Sequence, residues 1–135
     1  MPEPIILPPP SERADPAAAV EAHGAGLVIA EWGGAYVGYV APLHVHHGDD
    51  EAWHVLAGSM RFRLGDREVV AVAGTTVMAP AGLPHTFGNA GPGAARYLIV
   101  TSTRLSDLIA ELHQVDSSEH AAVFKKYDSE LLETS

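Results

Sequence analysis

The sequence predicts an all-β sandwich or barrel with short helices at its C-terminal end, and three observations carry that expectation. From Ala52 to Ser102 the chain is a close succession of short β-like segments, AWHVL, SMRFRL, REVVAV, TTVMA, HTFGN and ARYLIVTS. They are separated by turn signals such as Ala57-Gly58, Gly65-Asp66, Ala73-Gly74 and Gly91-Pro92-Gly93. Within SMRFRL, Met60, Phe62 and Leu64 alternate with Arg61 and Arg63, the pattern of a strand with one buried face and one wet face. After Ser102 the period changes, and Leu105, Leu108, Ile109 and Leu112 recur at helical spacing.

Taken in order, residues 1–26 form a Pro- and Ala-rich N-terminal arm in which Ile5-Ile6-Leu7 can pair as a short strand before three prolines stop it. Asp15 to Ala22 is read as a helical turn or loop. A β-barrel is expected over 27–102, opening with Leu27–Trp32 and continuing through Ala35–Ala41. Gly33-Gly34 and Gly38 lack the Lys and following helix of a phosphate loop, so a turn explains them better. A helical tail is expected over 103–135. Thr103 is available to cap its first helix, Asp116-Ser117-Ser118 to start a second, and Phe124, Tyr127 and Leu131 to give the second its apolar face.

Composition bounds the function. The length suits one domain with its own core. Seventeen acidic against eight basic residues give a net charge of -9, which repels phosphate backbones and makes nucleic acid an unsuitable partner. No Cys is present, so any metal site must use nitrogen and oxygen ligands. No apolar run approaches membrane-spanning length, and MPEPIILPPPSER has neither the basic flank nor the apolar core of a signal peptide. A cytoplasmic location with no membrane partner is the expectation.

The chemistry concentrates in Gly38–Gly58, GYVAPLHVHHGDDEAWHVLAG. His44 and His46, two apart on a strand, point to one face, and Glu51 returns from the next strand across a polar turn. That arrangement suits a metal ion. A second stretch, GTTVMAPAGLPHTFGN, offers His85 as its only strong donor. His23, His47, His54, His113 and His120 are read as ordinary polar residues; parity puts His54 on the face opposite Glu51.

Together the two stretches resemble the cupin superfamily. Gly38, His44, His46, Glu51 and Gly58 fill every fixed position of its first motif, and Gly74, Pro80, Gly82, His85 and Asn89 fill every one of its second. More loosely, the chain layout is similar to quercetin-dioxygenase-like monocupins. The resemblance implies a compact cupin (double-stranded β-helix, or jelly-roll) barrel that holds one divalent transition metal ion on His44, His46, Glu51 and His85. Iron, manganese, nickel, copper, cobalt and zinc all accept such ligands, and an octahedral ion would keep two neighbouring positions open.

Strand parity places Trp53 with Glu51, Phe87 with His85, and Met60 and Phe62 on the apolar face of the neighbouring strand. The expected pocket is apolar and partly aromatic, without Lys or Arg to pair with a phosphate. A small-molecule substrate follows: an enolic, phenolic or diketone-like compound in a dioxygenase-like oxidoreductase, with Glu51 as ligand and candidate general base. The alternatives are non-oxidative metal-dependent isomerases, cyclases, decarboxylases or lyases, and a non-catalytic binding module. A homodimer formed through sheet edges or an exchanged PIIL strand is the expected assembly.

Overall fold

The computed structural model describes residues 1–133; Thr134 and Ser135, the last two residues of the expected tail, lie outside the described residues. Eleven strands, two α-helices and two single-turn 3-10 helices make up the described chain. The strands are β1 (Val20–His23), β2 (Leu27–Gly34), β3 (Gly38–Tyr39), β4 (His44–His46), β5 (Glu51–Ala57), β6 (Ser59–Leu64), β7 (Arg67–Val72), β8 (Thr76–Ala79), β9 (His85–Asn89), β10 (Ala95–Ser102) and β11 (Ser129–Leu131). The helices are α1 (Thr103–Leu112) and α2 (His120–Lys126).

All strand pairings are antiparallel and build two sheets, ordered β1-β2-β10-β5-β8 and β11-β4-β9-β6-β7, with β3 added to β9. The period-2 alternation of the sequence becomes the sandwich: alternate residues of β10 are buried along its whole length, and Glu51, Trp53 and Val55 of β5 point inward. Trp53, Phe62 and Phe87 meet at the centre, with ring centroids 5.1–6.1 Å apart, and Tyr97 closes on Phe87 at 5.5 Å. Each such side chain contributes roughly 1.5–3 kcal/mol by leaving water, which lets the domain dispense with disulfides.

The sheets extend beyond both ends of 27–102. Val20–His23 is a strand rather than part of a loop, because β2 offers it a full antiparallel edge, from Val20↔Glu31 to His23↔Val28. Ile5–Leu7 forms no strand; instead Arg13 fastens the arm to the outer face of β2, its Nη1 donating to Glu31 at 2.6 Å while Arg96 pairs with the same carboxylate. The expected strand over Ala35–Ala41 shrinks to Gly38–Tyr39, since Pro42 cannot donate to a ladder and Gly38 has a φ of 134°. Ser102, not Thr103, caps α1 by accepting from the Leu105 N–H. Leu131 lies in β11 and not in a helix: Asp128, at φ 54°, reverses the chain after α2 and lays it antiparallel on β4.

Gly88 has a packing role that parity alone does not reveal. A Cβ there would overlap the Gly38 carbonyl, so only glycine lets β3 approach β9. Gly88→Ala is expected to lower the unfolding free energy by about 3 kcal/mol, the upper part of the range for overpacking, as read by urea denaturation.

Candidate metal centre

The centre forms where the two sheets meet. His44 and His46 project inward from β4, His85 stands opposite His44 on β9, and Glu51 opens β5 in the other sheet. Because β4 and β5 belong to different sheets, the His47–Asp50 turn sets the distance between the histidines and the carboxylate. It is braced on both sides. Asp49 accepts from Ser102 Oγ at 2.8 Å and Arg104 Nε at 2.7 Å, and Asp50 accepts from the Ala81 N–H at 2.8 Å.

All four side chains are buried, and one ligand atom from each lies within 4.8 Å of every other. Their hydrogen bonds decide which atoms face inward. His44 Nδ1 and His85 Nδ1 lie 2.8 Å from the carbonyls of Pro42 and Leu83, which can only accept, so each Nδ1 carries the proton. Nε2 of His85 then faces Glu51 Oε1 at 2.9 Å, and Nε2 of His46 faces the same oxygen at 3.5 Å. Lone pairs directed at one another this closely require a cation between them, either a proton or a metal ion. The donor set therefore fits a divalent ion, with nitrogen and oxygen ligands of the kind that transition metals accept.

The electrostatics agree. Burial alone would raise the Glu51 pKa, but hydrogen bonds from His46 and His85 outweigh it and bring the carboxyl down to about 2, so it is ionised. Burial, helped by the neighbouring His85, lowers His44 to about 4 and keeps it neutral, the form that ligates.

Above the cluster lies a cavity of about 260 Å³. Glu51, His44 and His46 form its floor, Phe87, Tyr97 and Ile99 part of its wall, and Leu108 and Leu112 of α1 with Phe124 of α2 its roof. No Lys or Arg lines it among the described residues. Burial raises the Tyr97 phenol to about 12, with Glu51 adding to the shift. Tyr97 and His113 are the polar side chains of a wall that is otherwise apolar.

Residues 36–101 match the model of the cupin domain. The chain belongs to the cupin superfamily. Among solved structures, a protein of Thermus thermophilus is 26% identical, the match covering 67% of this chain and 88% of that one with a TM-score of 0.55. A predicted oxalate decarboxylase from Thermotoga maritima is 25% identical over 56% of this chain and 64% of its own, with a TM-score of 0.51. A Bacillus halodurans protein shares the fold at 16% identity, over 75% of this chain and 82% of its own, with a TM-score of 0.63. No curated protein matches this sequence.

In this cupin the expected pocket residues separate. Phe87 lines the cavity; Trp53, Met60 and Phe62 do not, and sit in the core. Parity gives the face of a strand but not the height along it. His85 pairs with Leu64, whereas Phe62 and Met60 pair with Phe87 and Asn89, progressively further from the cluster. Trp53 instead meets His85 edge-on at 5.7 Å from behind, its Nε1 having no hydrogen-bond partner among the described residues. His54 faces outward and bonds Thr76 Oγ1 at 2.8 Å, and exposed His47 lies 3.7 Å from Glu130. Tyr97 and Ile99 were signalled by the alternation of ARYLIVTS, and the roof residues by their helical spacing though not by any sign of where the helices pack; Ser129, whose Oγ is 2.7 Å from His46 Nδ1, had no local signal.

The His44 shift has a pH consequence. An unfolded histidine takes up a proton near pH 6.5, whereas the folded one resists until about pH 4, so stability is full above pH 6.5 and declines as pH falls towards 4. Urea unfolding of metal-free protein is expected to lose about 3 kcal/mol across that window, and His44→Gln to remove this part of the slope.

Proposed function

We propose that the protein is a metal-dependent cupin enzyme, a dioxygenase-like oxidoreductase acting on a small enolic, phenolic or diketone-like substrate. The observation that carries this reading is the convergence of three imidazoles and an ionised carboxylate beneath an apolar cavity. A divalent transition metal ion on His44, His46, Glu51 and His85 would supply Lewis acidity towards a substrate hydroxyl and redox chemistry towards dioxygen. The chain's own groups supply the rest. Phe87, Ile99 and the helical roof exclude water from a flat apolar body, and Tyr97 donates its hydroxyl proton in a hydrogen bond to a substrate oxygen. Glu51 accepts the proton that the substrate hydroxyl loses. A carboxylate with a pKa of about 2 is a weak base, so it serves only a hydroxyl that has already been made acidic.

The cavity narrows the substrate class. At about 260 Å³ it lies below the ~300–1,000 Å³ of pockets for drug-sized ligands, which favours a compound of about one ring. The lack of Lys and Arg on its walls disfavours phosphates and dicarboxylates. Likeness to a predicted oxalate decarboxylase favours, as a second class, non-oxidative chemistry on an enolate: decarboxylation, isomerisation, cyclisation or elimination. A non-catalytic small-molecule-binding cupin is the third.

His44→Ala and His85→Ala are expected to lose bound metal by elemental analysis and turnover on a panel of such substrates; retention of both would overturn the proposal. Persistent turnover without oxygen would select the second class, and metal without turnover on any substrate the third. Tyr97→Phe is expected to keep metal while lowering kcat/KM about tenfold or more, the effect of losing one hydrogen bond to a charged group.

A homodimer is proposed as the assembly. Ala22, Ile29, Val100, Ala52 and Met78 stand in register across all five strands on the outer face of the β1-β2-β10-β5-β8 sheet, and Met78 is 59% exposed. This apolar row supports face-to-face pairing of two copies better than exchange of the strandless Ile5–Leu7. Light scattering at micromolar concentration is expected to give a dimer for the wild type and a monomer for Val100→Asp; a monomeric wild type would refute it.

A further inference from the structure

We propose that β11, outside the residues matched by the cupin domain, is a working part of the metal centre, with Ser129 as the positioning residue for His46. The proposal rests on the metal-binding reading above. His44 and His85 orient themselves locally, each through a carbonyl two residues earlier in its own segment. His46 has no such neighbour. Its Nδ1 lies 2.7 Å from Ser129 Oγ, a residue 83 positions later that stands directly opposite it in the β4–β11 register.

The direction of that bond follows from the next one. Ser129 Oγ is also 3.1 Å from the Tyr127 carbonyl, which can only accept, so the serine proton is committed there. The oxygen is then left as an acceptor for His46 Nδ1–H, so Nε2, the atom that faces Glu51, is the nitrogen left to offer its lone pair to a metal ion. Ser129 is 3% exposed, so water does not substitute for it. A backbone carbonyl at the end of α2 thus fixes, through one hydroxyl, which nitrogen of His46 is able to ligate.

Several bonds deliver the strand to this position. Asp128 turns the chain at φ 54° and its carbonyl accepts from the His47 N–H at 3.0 Å; the Leu132 N–H donates to Leu43 O at 2.9 Å. Phe124 lies parallel to the His46 ring, 4° between planes and 6.2 Å between centroids. Every contact joins the tail to the metal-binding segment, so occupancy of the site and docking of the tail are coupled, and by linkage each strengthens the other.

The test is titration of metal-free protein with cobalt(II), followed by its visible absorption, with nitrogen NMR of the His46 ring as a readout independent of metal. Ser129→Ala is expected to weaken cobalt binding about 10–100-fold and to mix the His46 tautomers, while Ser129→Thr, which keeps the hydroxyl, restores both. Unchanged affinity and tautomer in Ser129→Ala would overturn the proposal, as would equal loss in both variants, which would mark a packing effect. If Ser129→Ala does not fold, the wild-type ring decides: an Nδ1 that carries a proton in the metal-free protein supports the relay, and an unprotonated Nδ1 refutes it. A wild type that binds no cobalt at all would instead overturn the metal reading itself and the relay with it.

Discussion

A carboxylate held ionised and out of water carries a penalty of several kcal/mol unless positive charge and hydrogen-bond donors surround it. Glu51 is such a group, 4% exposed and facing Nε2 atoms of two histidines from the opposite sheet. Much of the surrounding structure is arranged to hold that juxtaposition. The β4–β5 turn is braced through Asp49 to the start of α1 and through Asp50 to the segment before β9. Gly82 donates back to the His46 carbonyl at 2.8 Å. A divalent ion would relieve the same conflict more completely than a shared proton, since it can accept all four donors at once.

Three of the four converging residues, His44, His46 and Glu51, were legible because their positions depend on short-range rules. Two-residue spacing puts His44 and His46 on one face and a polar turn returns Glu51 beside them, while His85 joined the set through the resemblance to the second cupin motif, its pairing with His44 being long-range. The same rules separated His54 from Glu51. What they could not supply was height and distant pairing. Trp53, Met60 and Phe62 have the correct parity but lie behind or away from the cluster, a fact that resides in the inter-strand register. Val20–His23 and Ser129–Leu131 became strands because an edge was open to them, a tertiary effect with weak local signal.

The cavity refines the chemistry that the ligand set leaves open. The same four ligands serve oxidative and non-oxidative reactions, so discrimination must come from the walls. Here they offer apolar surface, the Tyr97 phenol, the His113 imidazole and no Lys or Arg among the described residues. A substrate with several charges would be desolvated without compensation, whereas one with a single ionisable oxygen places its charge at the floor and its carbon skeleton against Phe87 and the roof. On the proposed reading, Tyr97 would donate to an oxygen of such a molecule.

The C-terminal segment links these two aspects of the site. Phe124 is both part of the cavity roof and the ring parallel to His46, and five residues later Ser129 holds the other side of that imidazole. A displacement of α2 and β11 would therefore open the cavity and release His46 together. If the centre holds a metal as proposed, closure of the apolar space and orientation of His46 become one event, and the environment that would exclude water from a substrate is complete only when His46 Nε2 is also in place.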